Sequence, residues 1–142
     1  MTTEQNESTI ESGEEHSASL GQIKVNHTVV AAIVKMAAAS VEGVLAVGGG
    51  FVENVTAIFK DSDKGVKVSE DDAGNYLIEI RVIMEYGVEL AKTAESVQMM
   101  VANQVSKMTG KPASSVDIII EGVKNKEEHR KESERNQDKE ES

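Results

Sequence analysis

The amino-acid sequence predicts an α+β fold, with a small mixed or antiparallel sheet and helices packed on one of its faces. Two patterns predict it. Apolar residues recur every three or four positions from His27 to Val41 and from Leu90 to Met108, as in amphipathic helices, and alternate strictly from Tyr76 to Met84, as in a half-buried strand. The helix stripes and the apolar sheet face must be buried against one another, and a two-layer arrangement achieves this around one core.

Composition divides the 142 residues into a central domain and two charged tails. Residues 1–19 contain five glutamates and neither lysine nor arginine, and residues 124–142 contain no aliphatic residue. Such segments bury too little apolar surface to offset their chain entropy. We therefore expect a disordered acidic N-terminal tail over residues 1–19 and a disordered or transiently helical tail over residues 124–142. Residues 20–123 remain as a single α+β domain, long enough to bury one core.

The domain begins with a strand pattern and a helix pattern. The segment GQIKVN (residues 21–26) alternates isoleucine and valine with polar neighbours, which predicts a short half-buried strand. The apolar stripe of residues 27–41 predicts an amphipathic helix, and Asn26 or Thr28 is placed to cap it. Residues 44–47 then form a brief apolar run that is compatible with a further strand.

The second half of the domain has the clearest signals. Residues 66–84 predict a β-hairpin, with a polar turn at residues 70–75 between two alternating runs. A long helix follows from Leu90 to Met108, and Gly110 ends it. Residues 114–123 alternate again and predict a closing strand.

Composition also narrows the class of protein. The chain has no cysteine, which excludes disulfides and thiol chemistry and is compatible with a reducing cytoplasm. The N-terminus lacks the features of a secretory signal, and no apolar run approaches the length that crosses a bilayer. We therefore expect a soluble protein that contacts a membrane only through another molecule. A formal net charge of -10 argues against non-specific binding to nucleic acid or anionic lipid.

Three consecutive glycines, Gly48 to Gly50, lie between the apolar run and a segment (residues 51–59) with helical spacing, which is the order of a phosphate-binding loop. The Walker form requires lysine and serine or threonine at the end of the loop, where this chain has Phe51 and Val52. The dinucleotide form requires a third glycine where this chain has Glu53, whose carboxylate would repel a phosphate. We interpret the glycines as a chain turn that brings Phe51 back onto the core.

Metal-ligand patterns are weak. The three histidines, His16, His27 and His129, are far apart, and no two of them have metal-ligand spacing. The acidic stretch SEDD (residues 69–72) resembles a fragment of a calcium loop but lacks the alternating oxygen ligands and the closing glutamate. We interpret His27 as an exposed first-turn residue and residues 69–72 as a solvated hairpin turn.

Paired carboxylates are the remaining candidates for catalysis. Glu79, Glu85 and Glu89 are predicted to share a face with Arg81, where a surface cross-strand charge network explains them. A general acid or base would need a desolvated pocket, and a chain with two phenylalanines, two tyrosines and no tryptophan offers little to line one. The residues therefore predict no catalytic, cofactor-binding or metal-binding site.

Two adjacent methionines in the long predicted helix leave two interpretations open. Met99 and Met100 point in different directions, so one is predicted to join the core face and the other to be exposed or half-covered. A ragged edge of the core is the simpler interpretation. An exposed methionine beside Val97 would instead form an adaptable contact patch.

The domain resembles the alkaline shock protein family of bacterial envelope stress response proteins. The resemblance extends over nearly all of residues 20–123, and it is carried by the order of several motifs more than by any one of them. In chain order these are GQIKVNHTVVAAIVKMAAASVEGV, GGGF, KGVKV, IEIRVIMEYGV, SVQ running into KMTG, and VDIIIEGV. The extra glycine, Met99 with Met100 and the acidic N-terminal tail depart from the family pattern.

The resemblance implies a non-enzymatic cytoplasmic protein of cell-envelope homeostasis, with no catalytic residue and no cofactor. It also implies recruitment to the inner face of the cell membrane by a small membrane-embedded partner, without direct insertion. We therefore expect a scaffold or adaptor that contacts a protein partner, with self-association left open. An RNA-binding module is the first alternative, because small α+β sheets with a glycine loop can present RNA-binding faces. A small-ligand-binding protein or enzyme with an unrecognised pocket is the second.

Overall fold

The computed structural model describes residues 20–48 and 65–141, and the side chains of these residues up to position 135. This part of the chain forms three helices and four strands, which confirms the predicted α+β class. In chain order the elements are α1 (His27–Ala39), β1 (Val44–Val47), β2 (Val66–Glu70), β3 (Tyr76–Glu85), α2 (Leu90–Thr109), β4 (Ala113–Lys124) and α3 (Lys126–Glu141).

Strand β3 is the centre of a mixed sheet. Strand β4 lies parallel to β3 along one edge and pairs with it over its whole length. Strands β1 and β2 follow one another along the opposite edge, both antiparallel to β3: β2 pairs with residues 76–80 and β1 with residues 82–84. Arg81 lies at the junction between them, where Gly48 and Gly65 end one strand and begin the next.

The core lies between one face of this sheet and the two helices α1 and α2. Alternate side chains of β3 are buried on that face because successive residues of a strand point to opposite sides. They pack against buried stripes on both helices, and full burial of one such aliphatic side chain contributes roughly 1.5–3 kcal/mol. The central members of the cluster are Ile78, Ile80, Val82, Met84, Val30, Val34, Val97, Val101 and Val105.

The ends of both core helices follow from local sequence. Asn26 caps α1, since its side-chain oxygen accepts a hydrogen bond from the backbone N–H of Thr28 at 3.0 Å. The helix ends at Ala39, two residues before the predicted Val41. Helix α2 ends at Gly110, whose φ of 82° is the left-handed conformation that glycine adopts at helix ends. The predicted stop at Gly110 is therefore confirmed.

The strand predicted at residues 21–26 is wrong. These residues pair with no strand in the part of the chain that the structure describes, and the side chain of Ile23 is 84% exposed. Alternation of apolar and polar residues selects an extended backbone, but a strand also needs a neighbouring strand to satisfy its N–H and C=O groups. The sequence pattern supplied the first condition without the second.

Two further predictions concern residues 51–59 and the C-terminal segment. The short helix predicted at residues 51–59 lies outside the described residues. The C-terminal segment, for which we predict disorder or a transient helix, forms helix α3 in the structure. How persistent this helix is in solution stays a prediction. Helix α3 is joined to the sheet by an ion pair between Lys124, the last residue of β4, and Glu132.

Candidate interaction surfaces

The first candidate site is the glycine turn, and its described part belongs to the sheet. The backbone N–H of Gly48 donates to the carbonyl of Arg81 at 2.7 Å, and the N–H of Arg81 donates to the carbonyl of Gly65 at 2.8 Å. The amide of Gly48 is therefore occupied by a sheet hydrogen bond and is not free to bind a phosphate. Gly49 and Gly50 lie outside the described residues. For Gly48, the structure supports the chain turn.

The acidic hairpin turn is organised by Asp71. One oxygen of its carboxylate accepts hydrogen bonds from the backbone N–H groups of Ala73 and Asn75 at 3.0 and 2.9 Å, as Asp does in tight turns. The other oxygen accepts from the hydroxyl of Ser114 on β4 at 2.6 Å. These bonds, that of Ser114 first, hold the pKa of Asp71 below its usual value. One oxygen thus holds the turn and the other ties it to β4. This agrees with the turn interpretation for Asp71, whereas Ser69 and Glu70 belong to β2.

A polar cluster joins the start of α1 to the end of β2. His27 donates from Nε2 to the carboxylate of Glu70 at 2.8 Å, and Nζ of Lys111 lies 3.7 Å from the same oxygen. The aromatic ring of Tyr76 lies under Lys111, 4.7 Å from its Nζ, and edge-on to the imidazole of His27 at 6.0 Å. The hydrogen bond from His27, followed by the charge of Lys111, lowers the pKa of Glu70.

Sequence analysis did not find this cluster. His27 and Glu70 are 43 residues apart, and only the packing of α1 over the sheet brings them together. His27 is half-buried and carries a partner, so the interpretation of His27 as simply exposed was incomplete. The carboxylate of Glu70 is itself largely open to water, and a surface ion pair of this kind orders local geometry without a large effect on stability.

The two histidines among the described residues, His27 and His129, lie on different helices. His27 lies at the start of α1 and His129 on α3, while His16 falls outside the described residues. Among the residues that the structure describes, no group of three histidine, cysteine, aspartate or glutamate side chains is placed to hold a metal ion.

The face of the sheet opposite the helices carries the predicted charges in a different arrangement. Arg81 pairs with Glu121 of β4, with Nε 3.5 Å from the carboxylate. Glu79 lies opposite Lys67 of β2 in the strand register. Glu89 precedes α2 at its N-cap position and does not belong to the strand, so its predicted place on this face is wrong. Arg81 therefore makes a cross-strand charge pair of the predicted kind, whereas Glu79 shares only its strand register with Lys67.

The two adjacent methionines of α2, Met99 and Met100, are both outside the core. Met99 is 71% exposed and Met100 39% exposed, so the prediction that one of them joins the core face is wrong. The buried stripe of α2 runs through Val97, Val101 and Val105, which repeat every four residues. Met99 and Met100 fall between those positions and therefore point away from the core.

A third exposed methionine lies on the neighbouring helix α1. Met36 of α1 is 74% exposed, on the side of the helix away from its buried residues. The turn after α1 lies against the start of α2, because a Cβ atom on Gly43 would lie 3.1 Å from the side-chain methyl group of Thr93. The opposite ends also meet, where His27 and Lys111 share Glu70. The two helices are therefore antiparallel, and Met36 lies near the level of the α2 methionines; we call these three residues the methionine surface.

Among residues 20–48 and 65–141, no helix combines the length and the apolar composition that crossing a bilayer requires.

Comparison with known proteins gives one family. Residues 15–125 match the family model of the alkaline shock protein 23 family, described as having a cell envelope-related function. No solved structure matches the chain.

The chain is also similar to curated bacterial proteins. It is 31% identical over 106 residues to the uncharacterized protein YqhY of Bacillus subtilis, covering 73% of this chain and 78% of that protein. It is 28% identical over 126 residues to the stress response regulator gls24 homolog of Streptococcus pyogenes serotype M1, covering 87% of this chain and 70% of that protein. The family match spans the whole described domain, and the resemblance in the motifs is confirmed. The chain belongs to the alkaline shock protein 23 family, whose function is related to the cell envelope.

Proposed function

We propose that this protein is a non-enzymatic scaffold or adaptor of the envelope stress response, which acts through contacts with other proteins. The family supplies the relation to the cell envelope, and one streptococcal relative bears the name of a stress response regulator. The scaffold role is our inference from the surfaces of the domain.

The observation that carries the proposal is the methionine surface. Met36, Met99 and Met100 expose flexible, polarizable side chains on the outer side of the helical layer. Unbranched thioethers adapt to partners of different shape, and exposed apolar patches commonly mark interaction sites. A partner that presents an apolar helix face would bury these side chains, which water solvates poorly.

The partner we propose is a small membrane-anchored protein at the inner face of the cell membrane. A domain of the alkaline shock type without a membrane-crossing helix in its described part needs a second molecule to reach the envelope. An acidic chain is also repelled by anionic lipid, so direct electrostatic binding to the bilayer is disfavoured. Protein contact is the remaining route.

The experiment replaces Met36, Met99 and Met100 together by glutamine, which keeps length and helix propensity but removes the apolar surface. We expect the tagged protein to leave the peripheral membrane fraction and to lose partners recovered after crosslinking in cells. Met108→Gln is the matched control, because Met108 is also exposed, at 62%, but lies at the far end of α2. A soluble distribution of the unchanged protein, with unaltered envelope-stress tolerance after deletion, would count against the proposal.

The two alternatives have simple tests. RNA binding predicts a mobility shift with mixed RNA at low salt, where electrostatic contacts are strongest. The occupied amide of Gly48 and the pairing of Arg81 with Glu121 give RNA few free donors in this region. A ligand-binding or catalytic role predicts a thermal shift with nucleotides or metal ions.

A further inference from the structure

Methionine is the side chain through which this protein can respond reversibly to an oxidant. The chain contains six methionines and no cysteine, so the thiolates on which peroxide sensing usually relies are missing. One of the six, Met1, lies outside the described residues. The position of the other five in the fold therefore decides where an oxidant acts.

The fold separates these five methionines into one protected residue and four accessible ones. Met84 of β3 is fully buried in the core, where its sulfur has no contact with solvent. Met36 and Met99 are the most exposed, and Met100 is partly covered. Met108 is exposed at the far end of α2, apart from these three. The methionine surface thus brings three reactive sulfur atoms together, and Met84 serves as an internal reference for a protected one.

Hydrogen peroxide converts an accessible methionine to its sulfoxide. The lone pair of the sulfur attacks one peroxide oxygen, the S–O bond forms and the O–O bond breaks. The departing hydroxide takes the proton of the transferred oxygen and leaves as water. The sulfur is oxidised by two electrons and the peroxide is reduced by two. A flexible apolar side chain becomes a polar one that accepts hydrogen bonds.

The fold should tolerate this change at the methionine surface. The buried stripe of α2 runs through Val97, Val101 and Val105, and Met99 and Met100 lie between those positions. An oxygen on either sulfur faces water and displaces nothing in the core. Changes at the surface, away from core contacts, usually have little effect on stability. Oxidation would therefore alter what the domain can bind and leave the domain folded.

We propose that Met36, Met99 and Met100 form a site of reversible sulfoxide modification, and that the oxidised surface releases its protein partner. The release rests on the proposed function, because it requires this surface to be the contact, whereas the modification does not. A sulfoxide oxygen pressed against an apolar helix face finds no hydrogen-bond donor, and burying a polar group without a partner is costly. A bound partner also covers the same sulfurs, so oxidation acts on the unbound form and keeps it unbound.

Reversal requires two enzymes of one chemical class. Oxidation creates a chiral centre at sulfur, and each of the two methionine sulfoxide reductases reduces one epimer. The oxygen leaves as water, with two electrons and two protons from a pair of thiols that become a disulfide. These enzymes must reach the side chain, and the exposed positions of Met36 and Met99 allow this.

The first experiment treats the purified full chain with hydrogen peroxide and locates the added oxygen by peptide mass spectrometry. We expect sulfoxide first at Met36 and Met99, then at Met100, and none at Met84 while the chain is folded. The same treatment in urea should remove this order, because unfolding exposes Met84. Both reductases with dithiothreitol should remove the oxygen, and the urea midpoint of the oxidised chain should equal that of the untreated chain.

Two results of this experiment would overturn the modification site. Sulfoxide that forms at Met84 as fast as at Met99 in the folded chain would show that burial does not select the sulfurs. Loss of the folded state as Met36 and Met99 are oxidised would show that these side chains support the fold, and the change would then be damage and not a switch.

The second experiment tests release in cells. The combined variant Met36→Leu, Met99→Leu, Met100→Leu keeps an apolar surface that accepts no oxygen. After peroxide treatment, crosslinking and fractionation, we expect the unchanged protein to leave the peripheral membrane fraction and to lose its crosslinked partners. The leucine variant should keep both. Met108→Leu is the matched control and should respond as the unchanged protein does, because Met108 lies outside the methionine surface.

The outcomes distinguish failure of the release from failure of the proposed function. If the glutamine variant of the same three residues keeps its partners without peroxide, the proposed function fails and the release fails with it, while the peptide map still decides the modification. If the glutamine variant loses its partners but peroxide releases the leucine variant and the unchanged protein equally, oxidation acts elsewhere and the release alone is rejected. Unchanged protein that stays bound while carrying sulfoxide at Met36 and Met99 would reject it as well.

Discussion

Gly48 and Gly65 are in backbone contact where the edge of the sheet passes from β1 to β2. A Cβ atom on Gly65 would lie 2.3 Å from the Cα of Gly48 and 2.5 Å from its nitrogen. Both residues form backbone hydrogen bonds with Arg81, so the chain leaves the sheet and returns to it at one point. The contact explains why glycine stands at position 65, since any side chain there would meet the backbone of Gly48.

The first prediction is that Gly65→Ala destabilises the fold by roughly 2 kcal/mol or more, because the new methyl group meets backbone atoms that cannot rotate away. Its φ of 77° adds conformational strain for any residue with a side chain. Urea unfolding measures the effect. Gly74→Ala is the control, since Gly74 has a φ of 88° but nothing within 4 Å of the added atom. Equal losses in the two variants would show that strain alone, and not the contact, decides the cost.

Local sequence predicted the elements whose signals are themselves local. The hairpin of β2 and β3 and the end of α2 at Gly110 depend on alternation, turn residues and a single left-handed glycine, all of which are visible along the chain. The sequence left open whether the sheet is mixed or antiparallel, and so whether β4 runs parallel to β3. Pairing between strands so distant in sequence has no local signal. The structure makes that pair parallel.

The same reasoning explains what was missed. Residues 21–26 have a strand pattern, yet a strand also needs a neighbouring edge, which the pattern does not contain. The link between His27 and Glu70 depends on two elements meeting in space. Met100 lies one position before the buried Val101, and a pattern of apolar residues does not show where a helix stripe ends. Contacts between elements, which make up the candidate surfaces, were therefore the least predictable part.

The second prediction concerns acid stability at the hairpin turn. The folded pKa of Asp71 is depressed below the usual 3.8, so its contribution is present above that value and is lost as the pH falls through the folded pKa. We expect the free energy of unfolding to fall between about pH 5 and about pH 3, and to fall less in Asp71→Asn, which cannot titrate.

Denaturant unfolding at several pH values checks this prediction. Ser114→Ala should reduce the pH dependence in part, because the hydroxyl of Ser114 is the largest cause of the shift. Asp72→Asn changes the exposed neighbouring carboxylate and is the matched control. A pH dependence that is the same in Asp71→Asn and in the unchanged protein would contradict the assigned role of Asp71.

The third prediction compares two isoleucines on neighbouring strands. Ile80 is fully buried between the sheet and the helices, whereas Ile119 on β4 is 41% exposed on the opposite face. Ile80→Ala should destabilise the domain by about 2–5 kcal/mol through lost burial and a residual cavity, and Ile119→Ala by about 1 kcal/mol or less. Urea midpoints measure both. Similar losses would mean that a further part of the chain covers the outer face of the sheet.

The fourth prediction concerns helix α3, whose stability rests on few contacts. It has no apolar residue and is supported by exposed pairs such as Arg130 with Glu134 at 3.4 Å, together with the pair of Lys124 and Glu132. Exposed pairs of this kind contribute about 0.2–1 kcal/mol each, and an isolated helix of this length is marginal in water. We therefore expect the backbone amides of residues 126–141 to exchange with solvent much faster than those of α2.

Hydrogen exchange read by mass spectrometry makes this comparison within one sample. A chain that ends at Asn125 should keep the urea midpoint of the full chain, and Lys124→Met should increase exchange in α3 without affecting α2, because it removes the pair with Glu132. Protection of α3 equal to that of α2, or a loss of about 2 kcal/mol or more on truncation, would show that the tail is an integral part of the fold. In that case the charged segment would belong to the domain, and the boundary predicted at residue 123 would move to the end of α3.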